Sequence, residues 1–269
     1  MHVVIEYISA GIIICMILGF AGQYAATMSA DKINLIERNA TLGKADRVID
    51  MLLLSPGTPA NWGQSLDFPQ AVGFAFEGAI RQYDLDIDKV LRLSRDSPNY
   101  ISPGRLRDLM GLSSVYYITL RIRPFFNMTV TKLSDSSFSV TVLNQWSIPV
   151  SNVNVTGAYT DVPVSQIDSA VLSRFLDGSL ENADYAWSLT DALGRCNITF
   201  AGAPIRSTLI LCGNQLNVKS VVTWPSQSTF LVGSIESSMG SVSGYNTETV
   251  YRNVEIEGLN YIARFTLWS

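Results

Sequence analysis

The first 54 residues constrain the fold of this chain more than any other part of it. Residues Val3–Ala21 form a mostly apolar run that carries a single charged side chain, Glu6. A run of about 19 such residues is long enough for a helix to cross the hydrocarbon core of a bilayer. It is longer than the hydrophobic part of a secretory signal and no basic residue precedes it, so we predict a retained membrane anchor.

The helical pattern continues beyond the apolar run. Charged residues occupy the other faces of this segment, so its apolar stripe is of the kind that packs on a domain or on neighbouring helices. Pro56-Gly57 ends the pattern, which predicts one long helix from Val3 to Leu54 or two shorter helices with a bend near Gly19-Gly22. An apolar residue recurs at every seventh position along the stripe: Met28, Leu35, Leu42 and Ile49.

Composition and motifs exclude several classes of function. The net charge of -4 and the absence of a basic patch predict no nucleic-acid partner. The single histidine, His2, leaves no histidine for a metal site or a Ser-His-Asp triad elsewhere in the chain. Asp84, Asp86 and Asp88 have calcium-loop spacing but lack the glycine and glutamate of an EF-hand, which predicts a capped, solvated helix start. We therefore predict no enzyme, no cofactor and no metal.

Cysteines and glycosylation sequons predict an exported, extracellular head. Cys15 lies inside the apolar run, whereas Cys196 and Cys212 lie in separate strand-like runs. We predict a disulfide between these two, which would contribute about 3 kcal/mol in the chain-entropy model. Sequences of the Asn-x-Ser/Thr type provide four candidate N-glycosylation sites, at Asn39, Asn127, Asn154 and Asn197.

The rest of the chain predicts an α+β, mainly β fold, with a long N-terminal transmembrane and amphipathic helix followed by a β-sandwich head. Short helices are expected near Asp88–Leu93 and at Pro103–Leu112, the second capped by Ser102. A hairpin is expected around a turn at Thr190–Gly194. Short strands with alternating polarity follow from residue 115 to the end. We predict three regions: 1–54 (anchor and long helix), 55–135 (helices and strands near the head) and 136–269 (an Ig-like β-sandwich).

The N-terminal half resembles archaeal type IV pilin-like proteins. The resemblance rests on the anchor with Val-Ile-Glu-Tyr at its start and on Ala45–Leu54. It rests further on Ser55-Pro-Gly-Thr-Pro-Ala-Asn-Trp-Gly63, on Tyr83–Lys89 and on the Leu106–Leu112 helix. It implies a membrane-spanning helix that carries an exported β-rich head. It also implies that Glu6 pairs with the N-terminal amine of a neighbouring subunit; the alternative is that Glu6 reaches the lipid headgroup zone. Pilin precursors carry a basic leader, whereas Met1-His2 precedes the anchor here, so we expect either a trimmed chain or an unprocessed anchor.

A second segment is similar to bacterial-type Ig-like surface domains, which are spacers or adhesive modules. This resemblance covers residues 138–225. Asn144–Val150 with Val153–Val155 is similar to their strand pair, Thr190–Phe200 to their hairpin and Val218–Ser220 to the strand that follows.

Together these features predict a structural, pilin-like subunit of a surface filament. It would polymerise with copies of itself through the N-terminal helix, at least transiently in the membrane, with Glu6, Met28, Leu35, Leu42 and Ile49 in the helix contacts. Two alternatives stay open: a single-span accessory subunit of a multi-subunit membrane complex, and a tethered adhesin.

Overall fold

The chain is mainly β, as the sequence predicts. A computed structural model describes residues 16, 18–29, 43–200, 206–225, 234–240 and 246–268. Strands account for 38% and helices for 22% of the structure, and every pair of strands is antiparallel. Among the residues just given, no helix combines the length and the hydropathy that crossing a bilayer requires.

Two helices begin where the sequence provides capping signals, but both end earlier than predicted, at Leu91 and Leu109. Residues 18–29 are helical without interruption, so Gly19 and Gly22 do not end a helix. Ser102 caps the helix that begins at Pro103, as predicted. Asp86 caps the helix that begins at Ile87, which confirms the capped helix start predicted for the aspartate-rich segment. The labelled helices are α1 (residues 43–54), α2 (Ile87–Leu91), α3 (Pro103–Leu109) and α4 (Ser169–Leu176).

The strands of the described residues form three antiparallel sheets. The first sheet has the order β10-β11-β1-β9, the second β2-β3-β6 and the third β5-β4-β7-β8. Their bounds are β1 Tyr117–Pro124, β2 Asn127–Lys132, β3 Ser137–Leu143, β4 Asn154–Thr160, β5 Ala183–Leu189, β6 Arg195–Thr199, β7 Thr208–Gln215, β8 Val218–Trp224, β9 Ile235–Ser238, β10 Thr247–Ile256 and β11 Leu259–Trp268.

The first sheet is built from two distant parts of the sequence. Strand β1 pairs with β11 along its whole length, from Tyr117 opposite Trp268 to Pro124 opposite Tyr261. The second and third sheets, from β2 to β8, are therefore an insertion between β1 and β9. The predicted boundary at residue 135 places β1 and its partner β11 in different regions, whereas the structure joins these two strands in one sheet.

The second and third sheets pack face to face around an aromatic centre. The Phe138 ring on β3 lies 5.5 Å from the Tyr159 ring on β4 and 5.4 Å from the Trp224 ring on β8. Gly157 on β4 leaves room for its cross-strand neighbour on β7, because a Cβ there would lie 2.8 Å from Leu211 Cδ2. The inward residues alternate with outward ones along each strand, as a two-layer β structure requires.

The predicted hairpin across Thr190–Gly194 is wrong, although the turn itself is present. Gly194 has a positive φ of 69°, and its N–H donates to Asp191 O (3.0 Å). However, its carbonyl accepts from Val142 N (2.8 Å), which directs the chain onto β3. Strand β5 thus pairs with β4 and strand β6 with β3, in different sheets.

The predicted disulfide is also wrong, because its two cysteines lie on opposite sides of the third sheet. Cys196 on β6 is buried between the second and third sheets, and Cys212 on β7 is buried on the outer face of the third sheet. Alternation along β7 places Leu209 and Leu211 toward the second sheet and Cys212 away from it. Both thiols are free.

A larger core lies outside this two-layer unit. It joins the inner face of the first sheet, the apolar side of α1 and the outer face of the third sheet, where α4 packs. The Phe175 ring of α4 stacks on the Tyr185 ring of β5 at 6.4 Å. This core holds the inserted unit, the first sheet and α1 together.

Candidate functional site

The helical residues 18–29 present apolar side chains that the head does not cover. Each of these residues is exposed, and the segment contains no charged side chain. Phe20 is 72% exposed and Tyr24 is 67% exposed, which is unusual for several large apolar residues on one helix. The large exposed apolar side chains of this segment are Leu18, Phe20, Tyr24 and Met28, and Met16 is exposed as well.

The polar groups of this helix are satisfied within the helix itself. Thr27 Oγ1 donates to Tyr24 O (2.9 Å), and Ser29 Oγ donates to Ala25 O (2.8 Å). Hydroxyls bonded in this way need no water, so they are tolerated where a helix lies in lipid or against other helices. Gly22 and Ala26 are four residues apart and form a small-residue face of the kind that allows close helix packing.

Helix α1 behaves differently, because its apolar face is buried in the chain's own head. Ala45, Ile49, Leu52 and Leu53 are all 0% exposed. The predicted role of Ile49 in contacts between subunits is therefore wrong. The heptad pattern correctly identified an apolar stripe, but at this position the stripe packs on the first sheet and on the loops beside it. Met28, in contrast, is exposed as such a role requires.

An arginine on β10 attaches the polar side of α1 to the first sheet. Arg252 Nε donates to Asp50 Oδ1 (2.9 Å), and Arg252 Nη2 donates to Asp46 Oδ1 (2.7 Å). The Tyr83 hydroxyl donates to the same Asp50 oxygen (3.0 Å). The hydrogen bond from Arg252 lowers the pKa of Asp50, and the two carboxylates raise the pKa of Arg252. These contacts fix the direction in which α1 leaves the head.

A buried carboxylate makes a second attachment at the start of the described part of α1. Glu248 Oε2 on β10 accepts from the backbone N–H of Ala45 (3.2 Å). Burial raises the pKa of Glu248, and the Ala45 hydrogen bond partly offsets that rise. Lys44 Nζ lies 3.8 Å from the centre of the Tyr116 ring, so the same turn of the helix also makes a cation–π contact.

The loop that follows α1 is organised around Trp62. Trp62 is fully buried, and its indole N–H donates to Pro56 O (3.1 Å) and Gly73 O (2.9 Å). Gly57 has a positive φ of 77°, and a Cβ there would lie 2.7 Å from Trp62 Nε1. The turn-dense segment thus closes over the end of α1 by enclosing one aromatic side chain.

Two buried cations stabilise this loop, and sequence analysis missed both. Arg92 is 2% exposed, and its guanidinium donates to the carbonyls of Trp62 (2.6 Å), Ser65 (3.2 Å), Asp67 (3.1 Å) and Asn99 (3.0 Å). Lys89 is 0% exposed and donates to Ala75 O (2.8 Å). Burial lowers the pKa of both groups. Periodicity gives no signal for such residues, because their partners are carbonyls of a loop whose path the sequence does not determine.

The remaining predicted site residues fall into two groups. Asn127, Asn154 and Asn197 are exposed on β2, β4 and β6. Glu6, Leu35, Leu42, Asn39 and Cys15 lie outside the described residues. Comparison of the chain with protein-family models, with curated proteins and with solved structures finds no match.

Proposed function

We propose that this chain is a structural, pilin-like subunit of an extracellular filament that polymerises through its N-terminal hydrophobic helix. The observation that carries the proposal is the contrast between two helical segments. Residues 18–29 are apolar and exposed, whereas α1 is buried in the head and tied to it by Arg252. A helix of this composition requires an apolar environment, and the head does not provide one.

The physical driving force for assembly is the burial of these side chains. Apolar surface removed from water contributes about 25 cal/mol per Å², so Leu18, Phe20, Tyr24 and Met28 together favour a helix bundle over exposure. Gly22 and Ala26 permit close approach of helix backbones. In the membrane the same segment would continue the anchor predicted at Val3–Ala21. Rigid attachment of α1 would then hold the heads at a fixed angle around the bundle.

The head would form the outer wall of the filament on the cell surface. The facing second and third sheets support the interpretation of the inserted unit as an Ig-like β-sandwich. Three exposed sequon asparagines support export and glycosylation of this unit. The role of the head in the proposed filament is structural. The chain would contact the membrane transiently and other copies of itself permanently.

The test is a charge introduced into the exposed helix. In Phe20→Asp the helix bundle would bury an unpaired carboxylate, so filaments sheared from cells and viewed by negative-stain electron microscopy should disappear. The matched control is Leu216→Asp, because Leu216 is a 93% exposed apolar residue on the head, between β7 and β8. Filaments from the control strain should be unchanged, and a protease-resistant head should persist in both variants.

Two results would contradict the proposal. One is a chain that stays in the membrane in a fixed ratio to unlike subunits, which would establish the accessory-subunit alternative. The other is a Phe20→Asp variant that still forms filaments. Intact-mass analysis of the same material tests the exported topology, because glycosylation at Asn127, Asn154 or Asn197 adds mass that the matching Asn→Gln variant loses.

A further inference from the structure

The outer face of the first sheet carries a cleft rich in arginine. This face points away from the core that holds α1, and the cleft encloses about 100 Å³. Strands β1, β10 and β11 contribute to it, as does the turn that follows β3. Its principal lining residues, which define the arginine cleft, are Arg121, Arg123, Trp146, Tyr251, Ile262 and Arg264.

Positive charge in the cleft exceeds the negative charge beside it. Arg121 and Arg264 are directly opposite each other on β1 and β11, and the Arg121 guanidinium is paired with Glu236 on β9. Within the part of the chain that the structure describes, neither Arg123 nor Arg264 makes an ion pair. The sequence from 225 to 246, which carries β9, contains no acidic residue other than Glu236. Three guanidinium groups thus share one carboxylate.

Two further observations show that these arginines are incompletely compensated, although Arg123 Nε donates to Ser234 Oγ (3.2 Å). Arg121 Nε is buried and has no hydrogen-bond acceptor among the described residues. Burial, followed by the nearby charge of Arg121, lowers the pKa of Arg123, and Arg264 lowers it further. An anion in the cleft would relieve this repulsion and provide the missing acceptor.

Two partly exposed aromatic side chains, Trp146 and Tyr251, lie beside the arginines. Trp146 is 67% exposed at the tip of its turn, which Asn144 stabilises by accepting from the backbone N–H groups of Trp146 (2.9 Å) and Ile148 (3.0 Å). Tyr251 is 47% exposed, and the Arg264 guanidinium lies 5.9 Å from the centre of its ring. The cleft thus combines planar guanidinium groups, which donate charge-assisted hydrogen bonds, with the apolar rings of Trp146 and Tyr251.

We propose that the arginine cleft binds an acidic sugar residue. The sugar carboxylate would accept hydrogen bonds from Arg123 and Arg264, and the apolar face of the sugar ring would pack on Trp146 or Tyr251. Guanidinium groups suit this role because their paired N–H donors match the two oxygens of a carboxylate.

The surrounding backbone favours a sugar over an extended peptide. Strands β1 and β11 lie inside the first sheet, and each is paired on both sides. Their main-chain groups are therefore used in the sheet and are not free to pair with a peptide strand, which is how sheets capture extended peptides. Along β1 and β11, which carry all three arginines, the cleft therefore offers side chains alone, and these recognise a charge and a ring.

The experiment is isothermal titration calorimetry of the full-length chain in detergent, with α-1,4-linked trigalacturonate as the probe. Neutral galactotriose of the same linkage is the matched ligand control. We expect trigalacturonate to bind and galactotriose to bind at least tenfold more weakly. Arg123→Gln and Arg264→Gln should each weaken trigalacturonate binding about tenfold, because each removes a charge-assisted pair of hydrogen bonds.

Further variants distinguish the contribution of the guanidinium groups to binding from that of the aromatic ring. Arg264→Lys should also weaken binding, because lysine keeps the charge but loses the planar donor pair. Trp146→Ala should weaken trigalacturonate binding without changing the binding of inorganic sulfate. Arg195→Gln is the matched protein control, because Arg195 is an exposed arginine on the outer face of the second sheet; its affinity should stay within twofold of the parent.

Several results would overturn the proposal. They are no binding of trigalacturonate, equal binding of galactotriose, and an equal loss of affinity in Arg195→Gln, which would indicate general charge attraction. Sulfate binding as tight as trigalacturonate, with no effect of Trp146→Ala, would show a simple anion site. Tighter binding of hexaglutamate than of trigalacturonate would assign the cleft to an acidic peptide. Circular dichroism of each variant establishes that it is folded.

Discussion

Arg121 on β1 and Arg264 on β11 are directly opposite each other in an antiparallel pair, on the side of the first sheet that faces away from the core. Like charges in this position destabilise a sheet. The pair is only partly compensated, since one carboxylate, Glu236, contacts Arg121 and none of the described residues forms an ion pair with Arg264. In the absence of a ligand, the sheet therefore carries an unfavourable electrostatic interaction.

Replacement of Arg264 by threonine should stabilise the head by about 0.5 kcal/mol, because it removes the repulsion and introduces a residue that suits a strand. Urea denaturation followed by tryptophan fluorescence measures the change in the free energy of unfolding. Arg195→Thr is the control for strand propensity alone, since Arg195 also lies on an exposed strand position. If Arg264→Thr is destabilised relative to that control, the repulsion is not significant.

Replacement of Arg92 by methionine should lower the free energy of unfolding by about 3 kcal/mol, because it leaves several buried loop carbonyls without donors. Methionine keeps much of the side-chain volume, so the change reports mainly the lost hydrogen bonds. Denaturant unfolding measures the loss. The neighbouring exposed Arg95→Met should change stability by less than about 0.5 kcal/mol. Equal effects of the two substitutions would refute a structural role for the buried guanidinium.

Acid should weaken the attachment of α1 through Asp50. The hydrogen bond from Arg252 lowers the pKa of Asp50 in the folded state, so folding favours the ionised carboxylate. Its contribution is therefore fully present above the unfolded pKa of about 3.9 and is lost as the pH falls through the lower folded pKa. The difference in stability between the parent and Asp50→Asn should be largest above about pH 4 and should shrink in stronger acid.

Denaturant titrations at several pH values measure this difference. Asp96→Asn is the control, since Asp96 is exposed and makes no ion pair within the described ranges. The control should show no such dependence on pH. A constant gap between the parent and Asp50→Asn down to pH 2 would be inconsistent with the Arg252–Asp50 contact.

Cys196 and Cys212 should be unreactive thiols in the folded chain. Burial raises the pKa of Cys212 to about 11, and burial also raises the pKa of Cys196. In a Cys15→Ser background, iodoacetamide at pH 8 should label neither thiol in the native state. After unfolding without reductant it should label both, as read by intact mass. Labelling only after reduction would demonstrate the disulfide that the structure rules out.

Local features of the fold followed from the sequence, whereas pairings between distant segments did not. Apolar and alternating patterns predicted Phe138–Val142 and Val218–Trp224, which lie in β3 and β8; in β3 the alternation reflects burial of one face. Ser102 and Pro103 predicted the start of α3 because capping depends on adjacent residues. In contrast, the separation of β5 and β6 into two sheets depends on where β3 and β4 lie, which local patterns do not encode.

The candidate sites show the same division. The apolar character of residues 18–29 could be predicted from the sequence, and the structure adds that these residues are exposed. The burial of Ile49 in its own chain could not be predicted from the sequence, because an apolar stripe has the same pattern whether it packs on a neighbouring subunit or on the chain's own head. The arginine cleft was missed as well, since Arg121 and Arg264 are far apart in sequence and meet only through the pairing of β1 with β11.

The insertion of β2–β8 between β1 and β9 also sets an order of events during biosynthesis. As the chain leaves the ribosome, the inserted two-sheet unit is complete before β10 and β11 have been made. Until then β1 lacks its principal partner, and Ile49 and Leu52 of α1 lack the strands that cover them. The nascent chain therefore carries apolar surface on α1 and β1 that stays without its final partners until the last two strands have been made, which makes aggregation before completion a greater hazard than it would be if β1 paired with a neighbour in sequence.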